Sequence, residues 1–288
     1  MWIDILKSFL FIALELTALF FTVTFVVHLI QGLIPYEKLE EHLVHANTSV
    51  GSLIAVLLAF ITPFCSCSTI PIVATMLQNR MRFGFVMIFL FASPILDPTI
   101  LTLMGVLLGW KVTIIYTLVS TILSIVIGLS LEKLGFENAV EPFVVKSTTE
   151  PPNKFNVKNA WNETKTLMKT VYPYLILGAF IGSLIHGVVP TEWMTNAFGG
   201  NEWWLIPIAA LIGIPLYIRL STMIPIANIM IMKGMALGPV MAIMISSTGA
   251  SLPEVTLLHS IFERKLVLAF IISVLFMATM SGTLFYLI

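Results

Sequence analysis

Cys65 and Cys67 are the only thiols in this 288-residue chain, and Ser66 alone separates them. They lie in the run Thr62-Pro63-Phe64-Cys65-Ser66-Cys67-Ser68-Thr69-Ile70-Pro71. A proline removes a helical donor and disfavours helix at the residue before it, so Pro63 and Pro71 predict an unwound stretch. Residues two apart point to nearly opposite faces of a helix but to the same side of an extended segment. Both thiols could then converge on one ligand, with Ser66 and Ser68 beside them. Thiolates prefer soft ions such as Cu(I) or Zn(II), and the same softness suits trivalent arsenic. No metal is firmly assigned. A structural zinc site wants four protein ligands, and His28, His186 and His259 have no ligand spacing to the pair. The competing reading is two small buried packing residues.

A second group of residues carries charge where charge is expensive. Arg219 interrupts an otherwise uncharged apolar block, followed by Ser221 and Thr222. A cation inside a membrane is a functional hypothesis by default. Arg219 could hold an anionic substrate, or pair with Asp97 or Glu254 and tie two parts of the chain together. Asp97 and Glu254 are the candidates for proton or ion coupling, because buried carboxylates carry protons in coupled transport. Glu15, in the first apolar block, is a weaker one. Met76, Met230 and Met232 offer thioethers, although packing explains most of the fifteen methionines.

Composition says what must position these groups. Of the residues, 58% are hydrophobic and 10% charged, with a mean hydropathy of +1.00. Soluble domains carry about 25% charged residues. Fifteen basic and fifteen acidic residues cancel, which excludes a basic nucleic-acid binder and an acidic disordered tail. Two cysteines exclude a disulfide scaffold. An integral membrane protein remains, with the lipid bilayer as its first partner. A span needs roughly 20 apolar residues as helix. Eight apolar blocks stand between the charged clusters, at 8–34, 49–79, 83–110, 112–131, 170–191, 203–232, 234–262 and 266–288. The expected fold is all-α and polytopic, with about eight transmembrane spans. Strand-like alternation is absent, so a barrel is not expected.

The chain divides into a first membrane repeat (1–134), a cytoplasmic linker (135–164) and a second membrane repeat (165–288). Shifting the first half by 154 puts Ile70-Pro71-Ile72 on Ile224-Pro225-Ile226. Gly84 then meets Gly238, Lys111 meets Lys265 and Gly128 meets Gly282. Matched glycine, proline and lysine in one register point to duplication, a transporter pattern. Four crossings per half would make the repeats parallel, and one re-entrant block per half would invert them. The lysine-rich linker leans toward the even count.

The blocks are also broken in matched places. As one straight helix, block 49–79 would be about 46 Å long, more than a bilayer core. Pro63 and Pro71 interrupt it, and Pro215 and Pro225 interrupt 203–232. Pro94 and Pro98 break the third block, and Pro253 breaks the seventh. Unwound backbone at membrane depth survives only where protein buries it or it lines a cavity, and paired interruptions mark transport sites. By the excess of Lys and Arg on cytoplasmic loops, Lys7, Arg80, Arg82, Lys233 and the six lysines from Lys133 to Lys169 face inward. Lys38, Lys111, Arg264 and Lys265 face outward, with both termini cytoplasmic.

The Pro63-Phe64-Cys65-Ser66-Cys67-Ser68 run followed by Ile70-Pro71 resembles the signature of the ArsP/YraQ-type predicted permeases. Pro215-Leu216-Tyr217-Ile218 with Ile224-Pro225-Ile226-Ala227 is similar to that family's second motif, and Phe91-Ala92-Ser93-Pro94 to its third element. The resemblance spans nearly the whole chain. It implies a multi-pass plasma-membrane permease. In some members thiols recognise exported trivalent organoarsenicals, a role that falls here on Cys65 and Cys67. It also implies a possible second membrane subunit as partner. Two departures bear on the substrate: Asp97-Pro98 where relatives carry Asn-Pro, and Arg219 where a small or thiol residue is expected.

The expected function is therefore a secondary exporter of a small thiol-reactive or soft-metal(loid) substrate, or the permease subunit of a two-component complex. An anion or a divalent metal (zinc or copper), handled with Arg219, is the alternative substrate. No Walker motif is present, so no ATP hydrolysis is expected; no other enzymatic activity, cofactor or nucleic-acid partner is expected either. A membrane thiol–disulfide redox protein is the alternative of another class. The usual redox pair has two intervening residues and this one has a single residue.

Overall fold

The computed structural model describes residues 48–61, 66–78, 81–140, 203–215, 220–232 and 234–287, and single positions within 10–25 and 161–176. At 66–68, 71, 99, 220–222 and 253 only the backbone is described. Among the described residues the structure is helical, with one isolated β-bridge. Among the described residues, five bounded helices come from the first half: α1 Thr48–Ile61, α2 Ser66–Gln78, α3 Phe83–Ala92, α4 Pro98–Leu107 and α5 Trp110–Lys133. A 3₁₀ turn, Phe136–Ala139, follows. Five come from the second: α6 Leu205–Gly213, α7 Leu220–Met232, α8 Leu237–Gly249, α9 Leu252–Leu258 and α10 Arg264–Leu287. The starts 66 and 220, 83 and 237, 98 and 252, and 110 and 264 are each 154 apart.

Glycine sets the closest helix crossings. A Cβ on Gly128 of α5 would lie 2.8 Å from the Ile88 nitrogen and 3.0 Å from the Gly84 carbonyl oxygen of α3. A Cβ on Gly282 of α10 would lie 2.8 Å from the Gly238 carbonyl oxygen of α8. Only glycine allows backbones this close, and close approach is what drives helices together in lipid. These are the glycines that the 154 shift pairs.

The crossings also fix direction. The end of α5 packs on the start of α3, so the two run antiparallel. At the far end, the ring of Trp110 packs on Gly105 of α4. The path α3–α4 thus crosses the bundle once, interrupted at 93–97, and α5 returns. The path α8–α9 and α10 repeat the arrangement, with a Cβ on Gly249 meeting Val274. Among the described residues, three stretches are long and apolar enough to span a bilayer by length and composition: Trp110–Lys133, Leu237–Leu258 and Arg264–Leu287.

The shorter pieces double back. Arg82, just before α3, donates from Nη1 to Thr48 Oγ1 at the start of α1 (3.2 Å). At the end of α2, the Met81 N–H donates to the Met76 carbonyl as the chain turns into α3. So α1 starts, and α2 ends, at the same end of the bundle. At 14 residues α1 is about 21 Å long, and α1 and α2 together leave from one end of the bundle and return to it. The pair α6–α7 does the same from the opposite end. Ile206 touches Gly238 and Gly282 there, and Gly213 reaches Ile243 and Ser246.

Val140 bridges antiparallel to Phe262, and the Glu263 N–H donates to the Ala139 carbonyl (2.9 Å). The turn between α9 and α10 therefore sits at the end where α5 finishes. The two five-helix sets are inverted relative to each other. This is the arrangement expected where one block in each half returns without crossing. It also corrects the sidedness read from sequence. Arg264 and Lys265 share an end with Arg82 and Lys133, and the turn from Met232 to Leu237 lies at the opposite end, with Lys111. A periodicity argument counts blocks as crossings and cannot see a block return.

Matching outer faces complete the picture. Ile114, Leu118, Ile122 and Val126 of α5 are exposed at every fourth residue. Leu268, Ile272, Phe276 and Met280 of α10, each 154 later, are exposed too. Apolar stripes of this length on the outside belong against lipid. By contrast α3 is buried on every side, from Phe83 to Ala92, as a helix at the centre of a bundle must be. At the Arg82 end, Arg82 Nε donates to Glu132 Oε1 at 2.6 Å and the guanidinium lies 5.1 Å from the Phe85 ring. The pair is partly exposed, so Arg82→Met is expected to lower stability by roughly 1 kcal/mol. The midpoint of thermal unfolding in detergent checks this, and no shift would reduce the pair to a surface contact.

Candidate functional site

The interruptions meet in the middle of the bundle. Between α3 and α4, Ser93 and Pro94 are buried in a turn. The Ser93 N–H donates to the Phe89 carbonyl, and the Ile95 and Leu96 N–H groups both donate to the Ala92 carbonyl. The second break, at Ala250–Ser251, lies beside the first, since a Cβ on Gly249 would come 3.9 Å from Ile95 Cδ1. Across the two sets, α2 packs on α9 and α4 on α7. Four helices, α2, α4, α7 and α9, therefore start at this level and run outward in two opposite directions.

The thiol segment opens one of them. Ser66, Cys67 and Ser68 form the first turn of α2, so Cys67 is helical and not extended as its flanking prolines suggest. Pro71 lies inside α2 and Pro225 inside α7, at the sixth position of each. Neither is a break. Each removes one hydrogen bond, and the buried positions beyond it, among them Val73, Ala74, Ala227 and Met230, anchor the helix regardless. Ser221 and Thr222 fall in the first turn of α7. Pro98 is the first residue of α4 and Pro253 the second of α9, where a proline's missing N–H is harmless. Pro94 stands in the first break and Pro215 in the turn after α6. Pro63, Cys65 and Arg219 lie outside the described residues.

A contact that sequence reasoning passed over joins the thiol helix to the break. Thr69 Oγ1 of α2 lies 3.3 Å from Ser93 Oγ, and both residues are buried. The signal was present, since both hydroxyls stand in the motifs already singled out. Asp97 immediately precedes α4, and its carbonyl accepts the Leu101 N–H, which opens that helix. Glu254 is 1% exposed in the first turn of α9, so it sits at bundle depth and not near a surface. Carboxylates in these positions face the positive end of a helix dipole. Met76 and Met230 are core residues, whereas Met232 is exposed. Among the described residues no group of three His, Cys, Asp or Glu could hold a metal ion.

Residues 1–287 match the family described as predicted permease, ArsP_1. A UPF0718 protein of Methanocaldococcus jannaschii is 23% identical over 81% of this chain and 78% of its own. The UPF0718 protein YraQ of Escherichia coli is 25% identical over 82% of this chain and 68% of its own. A Streptococcus mutans protein is 23% identical over 74% and 72%; its name makes it a candidate subunit of a two-component membrane permease complex. No solved structure matches.

Proposed function

The chain belongs to the ArsP_1 family of predicted permeases, and on that premise we propose that it exports a small thiol-reactive or soft-metal(loid) solute, such as a trivalent organoarsenical. One observation carries this reading. The helix that opens with Ser66-Cys67-Ser68 starts in the middle of the bundle and is tied through Thr69 to the Ser93 break. Interrupted helices meeting at midplane are where transporters hold their substrates. Cys65 and Cys67 are the soft donors of this reading, with Ser66 and Ser68 beside them in sequence. The inverted pairing of the two five-helix sets supports a duplicated permease, with the boundaries 1–134, 135–164 and 165–288.

The test is arsenic retained by cells. A sensitive bacterium lacking its own exporters expresses the chain and is exposed to trivalent methylarsenical, and elemental mass spectrometry reads the arsenic. Wild type is expected to lower it several-fold, and Cys65→Ser/Cys67→Ser to abolish that difference while remaining in the membrane. Equal retention in both removes the thiol substrate. The second reading is then an anion held near Arg219. It is favoured by the helices that begin at the break level, because helix N-terminal ends point at anionic groups in such sites.

The membrane is the plasma membrane, with the Arg82 end facing the cytoplasm. Arg82, Lys133, Arg264 and Lys265 lie at that end, and the lysines of 141–160 follow it directly in sequence, whereas Lys111 is at the other. The end of α10 is then extracytoplasmic, opposite to the sequence expectation. A second membrane subunit is the partner that the Streptococcus mutans relative suggests.

A further inference from the structure

Four buried hydroxyls among the described residues have no protein hydrogen-bond partner: Tyr116, Ser120 and Ser124 of α5, and Ser281 of α10. Three of the four share one ridge of α5 at every fourth residue, and each is at most 1% exposed. Their height in the bundle follows from the glycine crossing. Gly128 meets Ile88 and the helices run antiparallel. Ser120, eight residues before Gly128, is therefore level with the 93–97 break, eight residues after Ile88. The row is buried where α3, α4 and α10 pack on α5.

The other half shows that packing does not require these hydroxyls. The positions 154 later are Phe270, Val274 and Ala278, equally buried and wholly apolar. A buried hydroxyl left dry costs free energy that an apolar side chain of similar size does not. Water answers the need of the three hydroxyls, because a polar pocket with several partners holds it. We propose that Tyr116, Ser120 and Ser124 line an internal water-filled pocket at the α3–α4 break, where the corresponding row of the other half is apolar. The pocket's part in moving a polar solute rests on the permease reading, but its water does not.

Hydroxyl-radical footprinting of the full chain in nanodiscs, read by mass spectrometry, tests for the water directly. Radicals made from bound water label adjacent rings, so Tyr116 is expected to label several-fold faster than the equally buried Phe270 and Phe91, after correction for intrinsic reactivity. The variant Ser120→Val/Ser124→Ala copies Val274 and Ala278, so it is expected to fold, and Tyr116 labelling in it to fall toward the Phe270 rate. If wild-type Tyr116 labels no faster than Phe270, the pocket is dry and the proposal is overturned. A dry pocket would also show as a variant melting well above wild type, since two unsolvated hydroxyls would be gone. Fast labelling that the double substitution leaves unchanged overturns the assignment of the water to this row.

Discussion

Gly128→Val is expected to destabilise the protein by about 3 kcal/mol or more, because the added atoms meet the backbone of α3. The nearest atoms to a Cβ there are Ile88 Cγ1 at 2.6 Å, the Ile88 nitrogen at 2.8 Å and the Gly84 carbonyl oxygen at 3.0 Å. A side chain can rotate away, but two backbone atoms move only if the helices separate. Alanine is the milder case. It gains up to about 1 kcal/mol of helix propensity over glycine and still meets those backbone atoms, so a net loss is expected. Gly282→Val should behave alike, with the Gly238 carbonyl oxygen at 2.8 Å and Ala242 Cβ at 3.0 Å. Unfolding in detergent, followed by tryptophan fluorescence, measures both beside Ile122→Val on the outer face of α5, where little change is expected. A Gly128→Val protein as stable as wild type would mean that α3 and α5 do not cross at this glycine.

Reporter fusions should give an all-or-none result. Alkaline phosphatase joined after Leu287 is expected to be active, and a fluorescent protein there dark. Inserted within 141–160, the fluorescent protein should be bright and the phosphatase inactive. Two separate arguments are under test. The Val140–Phe262 bridge and the antiparallel path of α10 place Val140 and Leu287 at opposite ends. Both sites reporting the same compartment would break the inverted arrangement. The sign of each report depends on the basic residues at the Arg82 end. Opposite but exchanged reports would keep the fold and reverse the direction in which the protein lies.

Much of this protein could be read from its residues. The apolar blocks and scarce charge determined a helical membrane protein, because each backbone group in lipid must pair within its own segment. The 154 shift placed Gly84 with Gly238 and Gly128 with Gly282, and the breaks at Pro94 and before Pro253 are local chemistry that needs no tertiary context. The Pro63-to-Ser68 run carried the family. Tertiary structure decided what local rules cannot. Pro71 and Pro225 look like breakers, yet buried neighbours hold α2 and α7 helical through them. Whether 49–79 crosses or returns depends on where Thr48 and Met81 end up, and only contacts with Arg82 and Met76 fix that. The sidedness of Arg264 and Lys265 turned on one bridge, Val140 to Phe262. Periodicity records which residues share a face of one helix. It holds no information on which end of the bundle a helix starts from, because that is set by contacts between different helices and turns, from Thr48 to Arg82 and from Val140 to Phe262.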